Sequence, residues 1–249
     1  PAPPPITTEQ KPTQSDSERW QERAVAFRDY AEAQMWGKDS AGRDYLMARG
    51  FTEDTINWFW LGYNPKLIFD DWGGDKRVAL NKGVVIPYVW GAYPNGELPK
   101  IRVRLTDEGD IAKRGKYIPP SGVKNVLWHS RGIIPNDVVV LCEGEFDAML
   151  IKQECPEPEI VAVATGGVTG ARLTESLFNL SLARVVLVAF DNEPHIEQHA
   201  QWWLDRLPQA KRLYPLEKDV NDMLVAGHDI WQWVHGSLHG KLIGLSNNR

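Results

Sequence analysis

The chain has only two cysteines, Cys142 and Cys155, and no CxxC, HExxH or comparable spacing of soft metal ligands. That scarcity excludes a disulfide scaffold and a zinc motif, and a reducing, cytoplasmic setting is the expectation. No apolar run approaches the roughly 18 residues that a membrane-spanning helix requires, and no signal-peptide pattern is present, so no membrane partner is expected. An excess of positive charge is missing too. The net charge is -5, with 28 Lys and Arg against 33 Asp and Glu. This excludes a uniformly basic nucleic-acid binder while leaving room for a local basic patch. Internal repeats are absent. The sequence starts at Pro1 rather than Met, which reads as an excised or processed chain.

What is there is ordinary globular material: 249 residues, 43% apolar and 24% charged, enough for one large domain or two small ones. Residues 1–17 carry Pro1, Pro3, Pro4, Pro5 and Pro12 among Thr, Gln and Ser, and read as a flexible linker. Trp20, Ala24, Phe27, Tyr30 and Ala31 recur at helical spacing and predict a helix from Ser17 to about Trp36. A second helix is predicted over Ala41–Arg49, ending at Gly50, and a third after the cap Thr52, running to about Trp60. Val84 to Trp90 and Ile101 to Leu105 read as two strands joined by the turn Tyr93-Pro94-Asn95-Gly96. Alternation in the second strand puts Arg102 and Arg104 on one face, and a basic stretch continues through Lys113, Arg114, Lys116 and Lys124.

From Pro135 the pattern becomes β-α-β-α-β-α-β. Strands are predicted at 138–142, 160–164, 185–190 and 211–214, with helices at 145–153, 172–180 and 196–206 between them. Near-continuous Val, Ile and Leu strands alternating with amphipathic helices indicate a buried, mostly parallel sheet. The expected organisation is a mixed α+β basic lobe at 18–132, an α/β domain at 133–240 and a tail at 241–249.

Three acidic stretches follow apolar strands. Glu143-Gly-Glu-Phe-Asp147 follows Val138–Cys142, Asp191-Asn-Glu193 follows Val185–Phe190, and Glu217-Lys-Asp219 follows Leu213–Leu216, with Asn221-Asp222 beyond. Singly, each has a structural alternative as a helix-start acid or a turn. Together they would deliver carboxylates to the carboxyl ends of neighbouring strands, where open α/β sheets bind their ligands. Like charges so gathered need a counter-cation or raised pKa values. Mg2+ (or Mn2+) fits hard oxygen ligands of this kind and acts on phosphates.

Glu143-Gly-Glu-Phe-Asp147, Ala164-Thr-Gly-Gly167, Asp191-Asn-Glu193 and Lys218-Asp219 resemble, in order, the motifs of the TOPRIM domain of bacterial-type primases, topoisomerases and some nucleases. Tyr45-Leu46, Arg49-Gly50-Phe51 and Leu61-Gly62-Tyr63 resemble a segment that precedes the catalytic centre of bacterial-type (DnaG-like) primases. Val85-Ile86-Pro87 with Gly96 and Arg104, and Lys116-Tyr117 with Pro119, resemble the next two. The likeness spans roughly residues 40–225 and omits the zinc ribbon that usually precedes this core. Three positions depart from it: Glu193 stands for an aspartate, Ile196 for a glycine, and Asn221 for a further acid.

The resemblance implies a Rossmann-like TOPRIM domain and a DNA primase core making short primers on single-stranded DNA by two-metal nucleotidyl transfer. It implies Glu143, Asp191 and Glu193 as catalytic residues, and Glu143, Asp147, Asp191, Glu193 and Asp219 as the metal site. Arg102, Arg104, Lys113, Lys116, Lys124 and Lys218 would meet nucleotide or nucleic-acid phosphates, although a charge run is often only a solvated face. The implied partners are a single-stranded DNA template, nucleoside triphosphates and a replicative helicase. A metal-dependent TOPRIM nuclease and a catalytically degenerate nucleic-acid-binding TOPRIM protein remain alternatives. Of 11 tryptophans, Trp202, Trp203, Trp231 and Trp233 are expected in the core, and His195 and His199 at the surface.

Overall fold

The computed structural model describes residues 16–72, 77–90, 97–118, 120, 126–167, 169 and 171–238. Residues 1–15 of the predicted 1–17 linker, the Tyr93–Gly96 turn, Lys124, Pro119 and the 241–249 tail lie outside the described residues, while Asp16 and Ser17 belong to the first helix rather than to a linker.

Helix α1 (Asp16–Met35) buries Ala24, Phe27, Ala31 and Met35, which recur at helical spacing along one side. Its Ala31 lies so near β1 (Gly62–Asn64) that a Cβ on Gly62 would meet the Ala31 Cβ at 2.5 Å. Only glycine permits that approach. Helix α2 (Ala41–Met47) starts at Ser40, whose hydroxyl accepts from Arg43 N at 3.4 Å. Helix α3 (Glu53–Trp58) starts at Thr52, whose Oγ1 accepts from Thr55 N at 3.1 Å. Both are side-chain caps of the expected kind.

The long hairpin is formed by β4 (Gly83–Trp90) and β5 (Glu97–Arg104). With β1 and β6 (Tyr117–Ile118) it makes a four-stranded antiparallel sheet of order β1-β4-β5-β6. Strands β2 (Ile68–Asp70) and β3 (Val78–Leu80) form a small separate ladder. Residues 108–114, of which only Lys113 and Arg114 were read in the sequence, as part of a basic stretch, form helix α4 (Glu108–Arg114). It is capped by Asp107, whose Oδ1 accepts from Asp110 N at 3.0 Å.

The second sheet holds β7 (Trp128–His129), β8 (Val138–Cys142), β9 (Ile160–Ala164), β10 (Val185–Val188) and β11 (Ala210–Arg212) in the order β11-β10-β8-β9-β7. All neighbours are parallel except β7, which runs antiparallel to β9. Helices α5 (Glu145–Glu154), α6 (Thr174–Ser181) and α7 (Glu197–Leu204) connect the parallel strands, and α8 (Val220–Val225) and α9 (Ile230–Leu238) follow. Val138, Val140 and Cys142 face one hydrophobic cluster while Val139 and Leu141 face another, so β8 is covered on both sides. The first cluster also takes Ile86 and Tyr88 from β4, Leu46 from α2 and Phe51. Packing is therefore continuous between the two sheets.

Two expectations for tryptophan differ. Trp203 is fully buried and Trp233 nearly so. Trp231 is 46% exposed, stacks on His235 with ring centroids 4.0 Å apart and donates to Glu157. Trp202 is half-buried and carries the guanidiniums of Arg172 and Arg206 on its ring, at 5.0 Å and 4.3 Å. Among the described residues no helix is long and apolar enough to cross a membrane.

Candidate active site

Parallel pairing of β8 and β10, with Leu141 opposite Val188, brings Glu143 and Asp191 to the same end of the sheet. Asp147 sits one helical turn beyond Glu143 on α5, and Asp219 caps α8, its Oδ1 accepting from Asp222 N at 2.8 Å. The loops themselves are tied. Gly166 N and Gly167 N donate to Glu143 O at 3.0 and 3.1 Å, and Asn192 N donates to Lys218 O at 2.7 Å.

The carboxylates feel one another. Burial, then the charge of Asp191, pushes the Glu143 carboxyl up to about 7, with Lys116 acting the other way. Burial and Asp219 push Asp191 up to about 6. Asp147 is held well above the usual carboxylate range by burial, then by Asp219 and Asp191. The buried Cys142 thiol is raised by burial and then by the charges of Asp147, Asp191 and Asp219. Glu193 pairs with Lys218, Oε2 to Nζ at 3.5 Å, and raises the pKa of that lysine, while its charge also pushes up Glu143 and Asp191. The structure thus gathers Glu143, Asp147, Asp191 and Asp219, with Glu193 and Lys218 paired beside them.

A hard divalent cation suits this donor set. The donors are oxygens only, they repel one another as anions, and Glu143 Oε2 is buried with no hydrogen-bond partner. Among the described residues no three His, Cys, Asp or Glu side chains stand closely enough to enclose an ion alone.

The cations divide into two kinds. Lys113 and Lys116 are exposed, and Lys116 bears electrostatically on both Glu143 and Asp191. Arg102 and Arg104 share a face, as alternation requires, but that face points into the molecule. The Arg102 guanidinium pairs with the fully buried Glu145, which also accepts from the Tyr88 hydroxyl, and it lies 4.2 Å from the Tyr117 ring centroid. Arg104 lies over the Tyr117 ring at 4.8 Å and donates to Tyr45 OH at 3.3 Å. A Cβ on Gly166 would meet Arg102 Nη1 at 2.9 Å, so this glycine, at φ +73°, keeps the pair closed.

Sequence reasoning missed two supports. Arg212 Nη1 donates to the carbonyls of Val188, Phe190 and Leu213 at 2.9, 3.0 and 3.1 Å, and Nη2 to Asp191 O at 3.3 Å. It thereby fixes the strand end that carries Asp191. Asn221, marked only as a departure from the expected acid, bonds Arg49 twice across the lobes. Nothing local in the sequence signals the first; the second was flagged by its mismatch.

No protein-family model and no curated protein sequence matches the chain. Solved structures do. The zinc-binding and RNA polymerase domains of Aquifex aeolicus primase align with TM-score 0.67 at 16% identity, over 89% of this chain and 62% of that one. The chain has the fold of a bacterial primase catalytic core. The RNA polymerase domain of Mycobacterium tuberculosis primase DnaG aligns with TM-score 0.65 at 17% identity, over 87% of this chain and 82% of that one. A DnaG primase catalytic domain bound to single-stranded DNA gives 0.63 at 12%, over 95% and 89%. This chain spans less than two thirds of the Aquifex chain.

Proposed function

We propose that this chain is the catalytic core of a DNA primase that joins nucleotides into short primers on a single-stranded DNA template. The observation that carries the reading is the gathering of Glu143, Asp147, Asp191 and Asp219 just beyond neighbouring strand ends, where Asp219 raises the pKa of Asp191 and Asp147, and Asp191 that of Glu143 and Asp147. A primase fold around that crowding supports the reading. The lobe at 18–132 would guide template and nucleotide, and the TOPRIM domain at 133–240 would hold the acids.

Glu143, Asp191, Glu193 and Asp219 would hold Mg2+ or Mn2+, with Asp147 supporting them. The ion would supply charge stabilisation on phosphoryl oxygens and favour the deprotonated form of an attacking hydroxyl. Lys116 and Lys218, close to the acids, would orient the triphosphate of the incoming nucleotide. Lys113 and Lys124 would hold the backbone of the template. Arg104 would act from the edge of the same face. Arg102, engaged by Glu145 and Tyr117, would contribute positive potential rather than a direct contact. The full protein would work beside a replicative helicase in the cytoplasm, where the buried free thiols of Cys142 and Cys155 stay reduced.

The test is synthesis of labelled oligonucleotides from nucleoside triphosphates on single-stranded DNA with Mg2+ or Mn2+. Primers abolished by Glu143→Gln support the proposal. Cleavage of the template instead selects a nuclease, and binding without either product selects a module that has lost catalysis.

A further inference from the structure

Asn221 stands two residues beyond Asp219, where the primase resemblance leads one to expect another acid. Its carboxamide is buried and bonded at both its oxygen and its nitrogen. Oδ1 accepts from Arg49 Nη1 at 2.9 Å, and Nδ2 donates to Arg49 O at 2.7 Å, closing a ring between the lobes. The backbone N–H of the same residue donates to Asp147 Oδ1 at 3.2 Å. One residue therefore touches both the acid cluster and the first lobe.

The segment it grips is docked throughout. Gln153 of α5 donates to Gly50 O at 2.9 Å and accepts from Thr52 N at 3.0 Å. Gly50, at φ +86°, lies against Leu224 of α8, so close that a Cβ would meet Leu224 Cδ2 at 2.7 Å. The Arg49 guanidinium lies 4.8 Å from the centre of the Tyr45 ring, whose hydroxyl accepts from Arg104. A short physical chain thus runs from Asp147 through Asn221 and Arg49 to Tyr45 and Arg104.

We infer that Asn221 is a positioning residue: its amide clasps Arg49, and that clasp sets the Asp147 carboxylate against the basic face of the first lobe. Only a carboxamide fits the role. An aspartate can accept from Arg49 but cannot donate to Arg49 O, and it adds a further anion beside Asp147. An alanine loses both clasp bonds while keeping its backbone N–H. Position 221 in this chain therefore does not serve as an ion ligand.

The inference rests on the primase reading for its consequence, yet it can be tested apart from it. Asn221→Ala, Asn221→Asp, Arg49→Met and the Asn221→Ala/Arg49→Met double variant are compared for thermal midpoint, for Mn2+ binding without nucleotide, and for primer synthesis. Each single variant should lower Tm by roughly 3–10 °C, from lost bonds to buried polar groups in a chain of this size. The double variant should lose less than the sum of the two single losses, because both single variants remove the same Arg49–Asn221 Oδ1 bond. Asn221→Ala should lower kcat about tenfold with nucleotide KM within about twofold, measured where both proteins are folded; a purely structural role leaves kcat unchanged. Asn221→Asp should neither tighten Mn2+ binding nor raise kcat. Additive losses in Tm, or tighter Mn2+ binding and higher kcat in Asn221→Asp, overturn the inference. If the wild type makes no primers, the primase reading fails while the Tm coupling and the Mn2+ titration still decide the clasp.

Discussion

Neutralising Glu145 probes how the two lobes are joined. Its carboxylate is 0% exposed and pairs with Arg102, itself 9% exposed, across the junction between α5 and β5. Glu145→Gln keeps the shape and an oxygen for Arg102 and Tyr88 but leaves the guanidinium without its counter-charge. Breaking a buried pair by removing one partner costs about 3–5 kcal/mol. The retained oxygen places this variant near the lower end, about 3 kcal/mol, or roughly 6–12 °C in Tm for a chain of this length. Urea unfolding at pH 7, followed by circular dichroism and tryptophan fluorescence, measures it. The Glu145→Leu/Arg102→Met pair, with both charges gone and the volume kept, should recover most of the loss. A loss below about 1 kcal/mol for Glu145→Gln, or a pair less stable than that single variant, would refute the reasoning.

Arg212→Met should cost about 2–4 kcal/mol and weaken primer synthesis, since four carbonyls around the Asp191 strand end lose their donor; thermal unfolding and kcat read the two effects. Lys100 is buried over the Tyr88 ring, and burial lowers its pKa to about 8. Because the unfolded chain binds that proton more tightly, stability should rise as pH climbs from about 8 towards 10.5. Lys100→Met should flatten that rise and stabilise the protein at pH 7 by about 1–2 kcal/mol after allowance for partial solvation. His129 is shifted down by burial, so its contribution is present above its unfolded pKa and lost as pH falls through the folded one. His129→Gln should therefore be less acid-sensitive in pH-dependent melts. Trp203→Ala, which empties a fully buried site, should cost about 3–5 kcal/mol in urea unfolding.

The second sheet was legible because its strands are nearly continuous Val, Ile, Leu and Ala and its helices carry apolar stripes. Strands 138–142 and 160–164 match residue for residue. Helices α8 and α9 went unread, since short apolar segments lack a period long enough to separate helix from strand. Strands β2 and β3 are three residues each and leave no alternation to detect. The acids were legible because strand ends expose whatever follows them. The partners of Arg102 were not: alternation tells which residues share a face but not what covers it, and here Glu145 does. Arg212 and Asn221 act through carbonyls and a distant arginine, contacts that only the folded chain assembles.

The most direct measurement of the central claim is primer synthesis with labelled nucleoside triphosphates on single-stranded DNA, comparing wild type, Glu143→Gln and Asp191→Asn with Mg2+ or Mn2+ present or chelated. The expected result is short labelled products from the wild type alone, lost on chelation, with both variants unfolding at a similar or higher temperature than the wild type because a mutually repelling charge has been removed. Products that persist in Glu143→Gln, or in the chelated wild type, would contradict the assignment of the strand-end acids as the catalytic centre.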